Sequence, residues 1–382
     1  MRKILIFTAS TGGGHNQAAA SLEELLKSNG YSVVKLDALK ETNKLLDSFI
    51  SDGYRILVKK FPKTYRELYK LSDRRKVNFK ITRIITKFLR NKIYQIIQKH
   101  NPEVIIATHP FLVNVIGELK EEGKICIPFI SVVTDYKIHQ TYVHSSVDAY
   151  ITGSYYTKLS MMERGIPKEK IYHYGIPIRK EFFVSSIDKK KNKKDDFTIL
   201  LMCGSIGLKA MEKVLKRLVK SKNRIKIIAV CGNDVDLRIR IEQKYMDKYE
   251  DKEIIVYGFT NKIPELMDIS DIIISKPGGL TVSESIAKNI PMVIPYVIPG
   301  QEEENADFLV HTGAGIRVKK IKEITDVIDN LIENPSLLRE MKKNIKKLSK
   351  TYSMESIVEI VNKLIEENKY NIKNYKKERV IS

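Results

Sequence analysis

The chain has 382 residues, 43% hydrophobic and 30% charged, enough apolar material for two or three packed domains and incompatible with a disordered or low-complexity chain. Lys and Arg number 67 against 46 Asp and Glu, and this formal charge of +21 points to a polyanionic partner: nucleic acid, an anionic membrane surface or a phosphorylated substrate. The longest apolar stretch, 290–298, contains two prolines and falls short of a membrane-spanning helix. The amino end has too short an apolar run for a signal peptide, so the chain is expected to stay in the cytoplasm. Cys126, Cys203 and Cys231 lie far apart with no metal-ligand spacing, and reduced thiols are expected.

In chain order, Lys3–Thr8 reads as a strand. A Gly-rich turn follows, then a helix from about Asn16 to Ser28, ended by Asn29-Gly30, then a strand over Tyr31–Leu36. This is the βαβ opening of a parallel sheet. Residues 40–100 break the rhythm with a basic, helical pattern, and strands return at Glu103–Thr108, Pro128–Thr134, Val147–Thr152 and Lys170–Gly175. The charged run at 189–196 reads as an exposed linker. Beyond it, strands are expected at Phe197–Cys203, Ile225–Cys231, Glu253–Tyr257, Asp271–Ser275, Pro291–Pro295 and Ala314–Val318, and the chain is helical from Ile321 on. The expected organisation is α/β: two doubly wound parallel-sheet domains, 1–188 and 197–350, with a helix over 351–382 packing back on the first. Such domains hold ligands in the cleft at the carboxyl ends of their strands.

Three strand ends carry candidate chemistry. Gly12, Gly13 and Gly14 let the backbone approach a bound group and take positive φ, and the helix that follows presents free N–H groups. His15, at that helix start, can take a proton from an acceptor hydroxyl, or it can be a helix cap. Gly204, Ser205 and Gly207 form a second turn of the same kind. The third cluster contains Phe259; then Lys276, Pro277, Gly278, Gly279, Thr281 and Glu284; then Gln301, Glu302 and Asn305. Amides at 278–281 suit a diphosphate. Glu284 can accept ribose hydroxyls, or it can close a capping box with Thr281. Gln301 and Glu302 can meet sugar hydroxyls, or Glu302 to Glu304 can be a solvated helix start. Asp234-Val235-Asp236 spells a metal motif, but at a helix start it reads as a cap, and no metal is expected.

The basic segment is concentrated. Between Tyr54 and Lys99 stand 15 Lys or Arg and two acids, with seven aromatics among them. That is the composition of a surface that lies on an anionic bilayer, with Arg74, Arg75 and Lys76 at its centre. It could also bind RNA, but no RNA-binding motif accompanies it, and no nucleic-acid partner is expected.

The motifs together resemble the monogalactosyldiacylglycerol synthase and processive diacylglycerol glucosyltransferase group of glycosyltransferase family 28. The resemblance is carried by Gly12-Gly13-Gly14-His15; Val132-Val133-Thr134-Asp135 with His139 and Tyr142-Val143-His144; Tyr174-Gly175-Ile176-Pro177-Ile178-Arg179; Lys276 to Thr281 with Glu284; and Gly300-Gln301-Glu302 with Asn305. It implies the GT-B fold and an inverting transfer of glucose or galactose from a UDP-sugar to diacylglycerol. The second domain would hold the donor: Phe259 at the uracil, Glu284 at the ribose, amides of 204–207 and 278–281 with Lys276 at the diphosphate, Gln301 and Glu302 at the hexose. His15 or Asp135 would be the base. The acceptor and the membrane would meet Gly12 to Gly14, His139, Tyr142 and the basic segment. No cofactor is implied, and the enzyme would sit peripherally on the inner face of the cell membrane. The family's tryptophan after His-Pro is replaced here by His139-Gln140-Thr141-Tyr142, a departure that bears on acceptor choice. The alternatives are a UDP-N-acetylglucosamine 2-epimerase-like isomerase and a UDP-N-acetylglucosamine transferase acting on another lipid-linked acceptor.

Overall fold

The computed structural model describes residues 1–9, 13–42, 53, 56–57, 60–185, 196–202 and 208–381. Gly12, Gly204, Ser205, Gly207 and nearly all of the expected linker lie outside the described residues. The described chain forms two compact units, Met1–Ile178 with Thr351–Ser382, and Arg179–Lys350.

The first unit holds β1 (Lys3–Thr8), β2 (Ser32–Asp37), β3 (Val104–Ala107), β4 (Phe129–Val132), β5 (Ala149–Ile151) and β6 (Ile171–Tyr172). They form one sheet in the order 2-1-3-4-5-6, every pairing parallel. The inner strands β3 and β4 are buried on both faces, whereas the edge strand β2 carries Lys35 and Asp37 and is mostly half-buried. Leu5, Phe7, Ile105 and Ala107 face one core, covered by Leu89, Ile93 and Ile97 of the helix Arg75–His100 and by Leu112 and Ile116 of the helix Pro110–Glu121. Ile4, Ile6, Val104 and Ile106 face the other, covered by Ala19, Leu22 and Leu26 of the helix Gly13–Ser28 and by Ile357, Val361 and Ile365 of the last helix, Met354–Ile381.

The second unit repeats the plan with β7 (Phe197–Met202), β8 (Ile225–Val230), β9 (Lys252–Tyr257), β10 (Ile272–Ile274), β11 (Met292–Ile294) and β12 (Gly315–Arg317), in the parallel order 12-11-10-7-8-9. In each sheet the strand order reverses beside the first strand, between β1 and β3 and between β7 and β10. In open α/β sheets that reversal opens a crevice at the carboxyl ends of the strands.

Two local expectations change. The first helix begins at Gly13, three residues early, so Gly13, Gly14 and His15 are its first turn. Neither glycine has positive φ. A side chain at Gly13 would meet nothing within 4 Å, so what the glycine provides is open space above a helix N-terminus. Thr281 and Glu284 do not form a capping box. The helix Gly279–Ala287 is capped at Gly278, which places Thr281 inside its first turn and Glu284 one turn further on.

Candidate active site

In the first unit the reversal point brings together His15, after β1, and Thr108 and His109, after β3. The His15 Nδ1 lies 2.8 Å from the carbonyl oxygen of Thr108, and the Thr108 hydroxyl donates to the His15 carbonyl at 3.1 Å. A carbonyl oxygen can only accept, so Nδ1 carries the ring proton and Nε2 keeps the lone pair. Burial pulls the His15 pKa down to about 4, against a smaller upward pull from the Thr108 carbonyl. The His109 ring stands edge-on to it, centroids 4.5 Å apart, and is itself held well below the usual imidazole range by burial and by His15. Both rings are neutral at pH 7. Thr134, just beyond β4, places its hydroxyl 3.0 Å from His15 Nδ1 and 3.1 Å from the Tyr142 hydroxyl.

Two expected acceptor residues are buried. Tyr142 is 2% exposed, inside the core, with its hydroxyl on Thr134. Burial, then the nearby Asp135 charge, pushes its phenol pKa up. His139 is also buried: its Nδ1 accepts the Thr141 amide, its Nε2 faces the Tyr69 carbonyl at 3.3 Å, and its ring packs on Tyr69. It fastens the helix Pro62–Ser72 to the sheet. Sequence reasoning passed over His109, although His-Pro directly after a strand was a usable signal: His109 caps its helix by accepting the Phe111 amide, and Pro110 follows at the first helical position.

In the second unit, Lys276, Pro277 and Gly278 follow β10 at the reversal point. Lys276 pairs with Glu302, whose second carboxylate oxygen accepts the Ile298 amide at 2.9 Å. The Glu302 side chain is 6% exposed, so the solvated-start reading is excluded. Asn305 is fully buried and donates to the Pro277 carbonyl. Glu284 is half-buried, and burial raises its pKa to about 8, with Arg179 pulling weakly the other way. Gln301 is half-buried at the start of the helix Gln301–His311, and Phe259 is 70% exposed just beyond β9. Asp234 caps a helix by accepting the Leu237 amide at 2.8 Å, a structural task. Lys276, Pro277, Gly278, Thr281, Glu284, Glu302 and Asn305 therefore share one neighbourhood in this unit, and His15, Thr134 and Tyr142 share one in the other, with Asp135 close to Tyr142.

The basic segment folds as the helices Pro62–Ser72 and Arg75–His100. Arg74, Arg75 and Lys76 are exposed at the turn between them, Leu68 and Leu71 are 47% and 42% exposed in the helical turn just before it, and Phe61, at the far end of that helix, is 55% exposed. Asp73 anchors that turn: it accepts Arg164 at 2.7 Å and the Gln140 amide at 2.8 Å. No helix among the described residues is long and apolar enough to cross a membrane.

Residues 15–178 match the monogalactosyldiacylglycerol synthase family, and residues 198–377 match the glycosyltransferase family 28 C-terminal domain. The processive diacylglycerol β-glucosyltransferases of Bacillus pumilus and Bacillus subtilis are 31% and 32% identical, each alignment covering 94% of both chains. Among solved structures, Acinetobacter baumannii MurG superposes with a TM-score of 0.67 at 16% identity, over 95% of this chain and 100% of that one. The Neisseria meningitidis UDP-GlcNAc 2-epimerase bound to UDP-GlcNAc superposes at 0.57 with 14% identity, over 95% of this chain and 100% of that one. The architecture is GT-B, and by sequence kinship this chain is a glycosyltransferase that belongs to family 28, in the branch of the processive diacylglycerol glucosyltransferases.

Proposed function

We propose that this enzyme transfers a hexose, glucose or galactose, from a UDP-sugar to diacylglycerol with inversion, working peripherally at the cytoplasmic face of the membrane. The observation that carries the mechanism is the neutral His15 ring, proton on Nδ1 and lone pair on Nε2, at the reversal point of the first sheet. His15 Nε2 takes the acceptor's hydroxyl proton as the acceptor oxygen bonds to the anomeric carbon. The bond from that carbon to the diphosphate breaks, and UDP leaves with the electron pair. Asp135 is the second candidate base, and its charge reaches Tyr142.

The donor reading rests on the second unit. Glu284 accepts the ribose hydroxyls, and the backbone at Phe259 flanks the uracil. The helix N-terminus at Gly278, Gly279 and Thr281, together with Lys276, takes the diphosphate charge, so no cofactor or metal is called for. Gln301 meets the hexose, and Glu302 contributes by holding Lys276. The basic turn with Leu68 and Leu71 has the mixed apolar and cationic character of a surface seated on anionic lipid. The isomerase alternative shares the fold, and the sequence kinship speaks against it.

The deciding experiment supplies UDP-glucose and UDP-galactose separately to the enzyme on vesicles containing diacylglycerol, with and without a chelator, and weighs the lipid products. A hexosyl-diacylglycerol that forms equally well with chelator is expected. Isomerised nucleotide sugar without a glycolipid would sink the proposal.

A further inference from the structure

Thr134 is 4% exposed, and its hydroxyl stands between two partners, His15 Nδ1 at 3.0 Å and the Tyr142 hydroxyl at 3.1 Å. A hydroxyl has one proton and two lone pairs. The Thr108 carbonyl fixes the His15 proton on Nδ1, so the oxygen of Thr134 faces that N–H with a lone pair while its other side meets the Tyr142 hydroxyl. Tyr142 is in turn held in the core, and its position therefore sets the direction in which the Thr134 lone pair points.

From this chain of contacts we propose that Thr134 is a positioning residue for His15, supplying the second acceptor to Nδ1–H and so steadying the imidazolium that forms when Nε2 takes the acceptor's proton. The proposal rests on the reading of His15 as the base. Nδ1–H of a charged ring is a stronger donor than that of a neutral one. The Thr134 contact therefore strengthens as the proton arrives, which is the condition for lowering a barrier rather than merely binding substrate. The other titratable groups facing this point are His109, edge-on to His15, Tyr142 beyond Thr134, and Asp135, whose charge acts on Tyr142. Asp135 lies near enough for its charge to act on Tyr142. A negative charge on that side favours the imidazolium.

The test is turnover against pH on diacylglycerol vesicles with UDP-glucose, for Thr134→Val, Thr134→Ser, Tyr142→Phe with Thr134→Val, and His15→Ala. Valine keeps the shape and loses the acceptor. Expected is a fall in kcat on the order of 10- to 100-fold, the cost of one hydrogen bond to a charged group. Donor KM should be unchanged, and the acid-side limb should move to lower pH because the imidazolium has lost a partner. Thr134→Ser should restore both kcat and limb. The double variant leaves no stranded phenol, so it should recover any loss of melting temperature without recovering kcat. Wild-type kcat and limb in Thr134→Val, a serine variant as poor as the valine one, or a double variant with restored kcat would each overturn the proposal. His15→Ala at wild-type turnover would instead overturn the base assignment itself, a result separable from a silent Thr134→Val beside an inactive His15→Ala.

Discussion

The side-chain amide of Asn305 lies 3.1 Å from the carbonyl oxygen of Pro277 and donates to it, so the helix after β11 is tied to the loop after β10. That loop carries Lys276 and Gly278 of the proposed diphosphate site. Asn305→Ala leaves a buried carbonyl without this donor, at a cost of about 1–3 kcal/mol. The loop should loosen as well. Calorimetry should find a lower melting temperature together with roughly tenfold weaker UDP binding. Lower stability with unchanged UDP affinity would assign Asn305 to folding alone.

The Lys276–Glu302 pair separates charge balance from chemistry. Lys276→Gln strands a carboxylate that is almost fully buried. Removing one partner of a buried pair costs about 3–5 kcal/mol, and the low end applies because the Lys276 side chain keeps 21% of its surface in solvent. Adding Glu302→Gln removes the stranded charge and should return the melting temperature. It should not return turnover, since the diphosphate has lost its cation. A double variant with full activity would remove Lys276 from the proposed donor site.

Glu284 makes the pH dependence of donor binding predictable in sign. Its folded pKa is raised to about 8, so near neutral pH the carboxyl is largely protonated. The ionised form is the stronger acceptor for ribose hydroxyls. UDP affinity should rise between pH 7 and 9 in the wild type and stay flat in Glu284→Gln. Stability runs the opposite way. The folded state holds a proton that the unfolded chain has already lost above its ordinary value of 4.5, so this stabilising contribution is complete at lower pH and fades as pH rises towards 8. Thermal melts of both proteins from pH 5 to 9 check it.

The exposed basic turn predicts a salt-sensitive membrane attachment. Replacing Arg74, Arg75 and Lys76 with Ser should cut sedimentation with phosphatidylglycerol vesicles and lower activity on vesicle-borne acceptor, since each cation near an anionic surface is worth about 1 kcal/mol. UDP affinity should hold, because the proposed donor residues lie in the other compact unit. Binding that is equal on zwitterionic and anionic vesicles would return this turn to an ordinary solvated surface.

What could be read from the sequence was what the chain states locally. All twelve strands were legible, the inner ones because both of their faces are buried, which writes runs such as Ile4–Phe7 and Ile272–Ile274 without polar interruption. Glycines and charges gathered directly after those runs marked the reversal points. What could not be read was pairing over distance. Glu302 could be read as a sugar contact or as a solvated helix start because its partner Lys276 is 26 residues away, and nothing local to Asp73 pointed to Arg164, 91 residues on. Tyr142 resembled an acceptor contact, but only the fold shows that its hydroxyl is committed to Thr134. The Thr281 and Glu284 spacing satisfied a capping pattern that Gly278, three residues earlier, had already pre-empted.

Tyr352 stacks so closely over Gly175 that a Cβ there would fall 2.8 Å from its ring, and the next residue, Ser353, donates its amide to Tyr174. The first unit is therefore sealed by a segment that comes after the second unit: one face of its sheet waits for Ile357, Val361 and Ile365. On a ribosome this reverses the usual order. The second unit, an uninterrupted stretch from Arg179 to Lys350, can close before Ile357 is made, whereas Ile4 and Ile6 stay without their final cover until residue 365 has left the ribosome. A chain stalled before residue 357 would expose its oldest residues, not its newest.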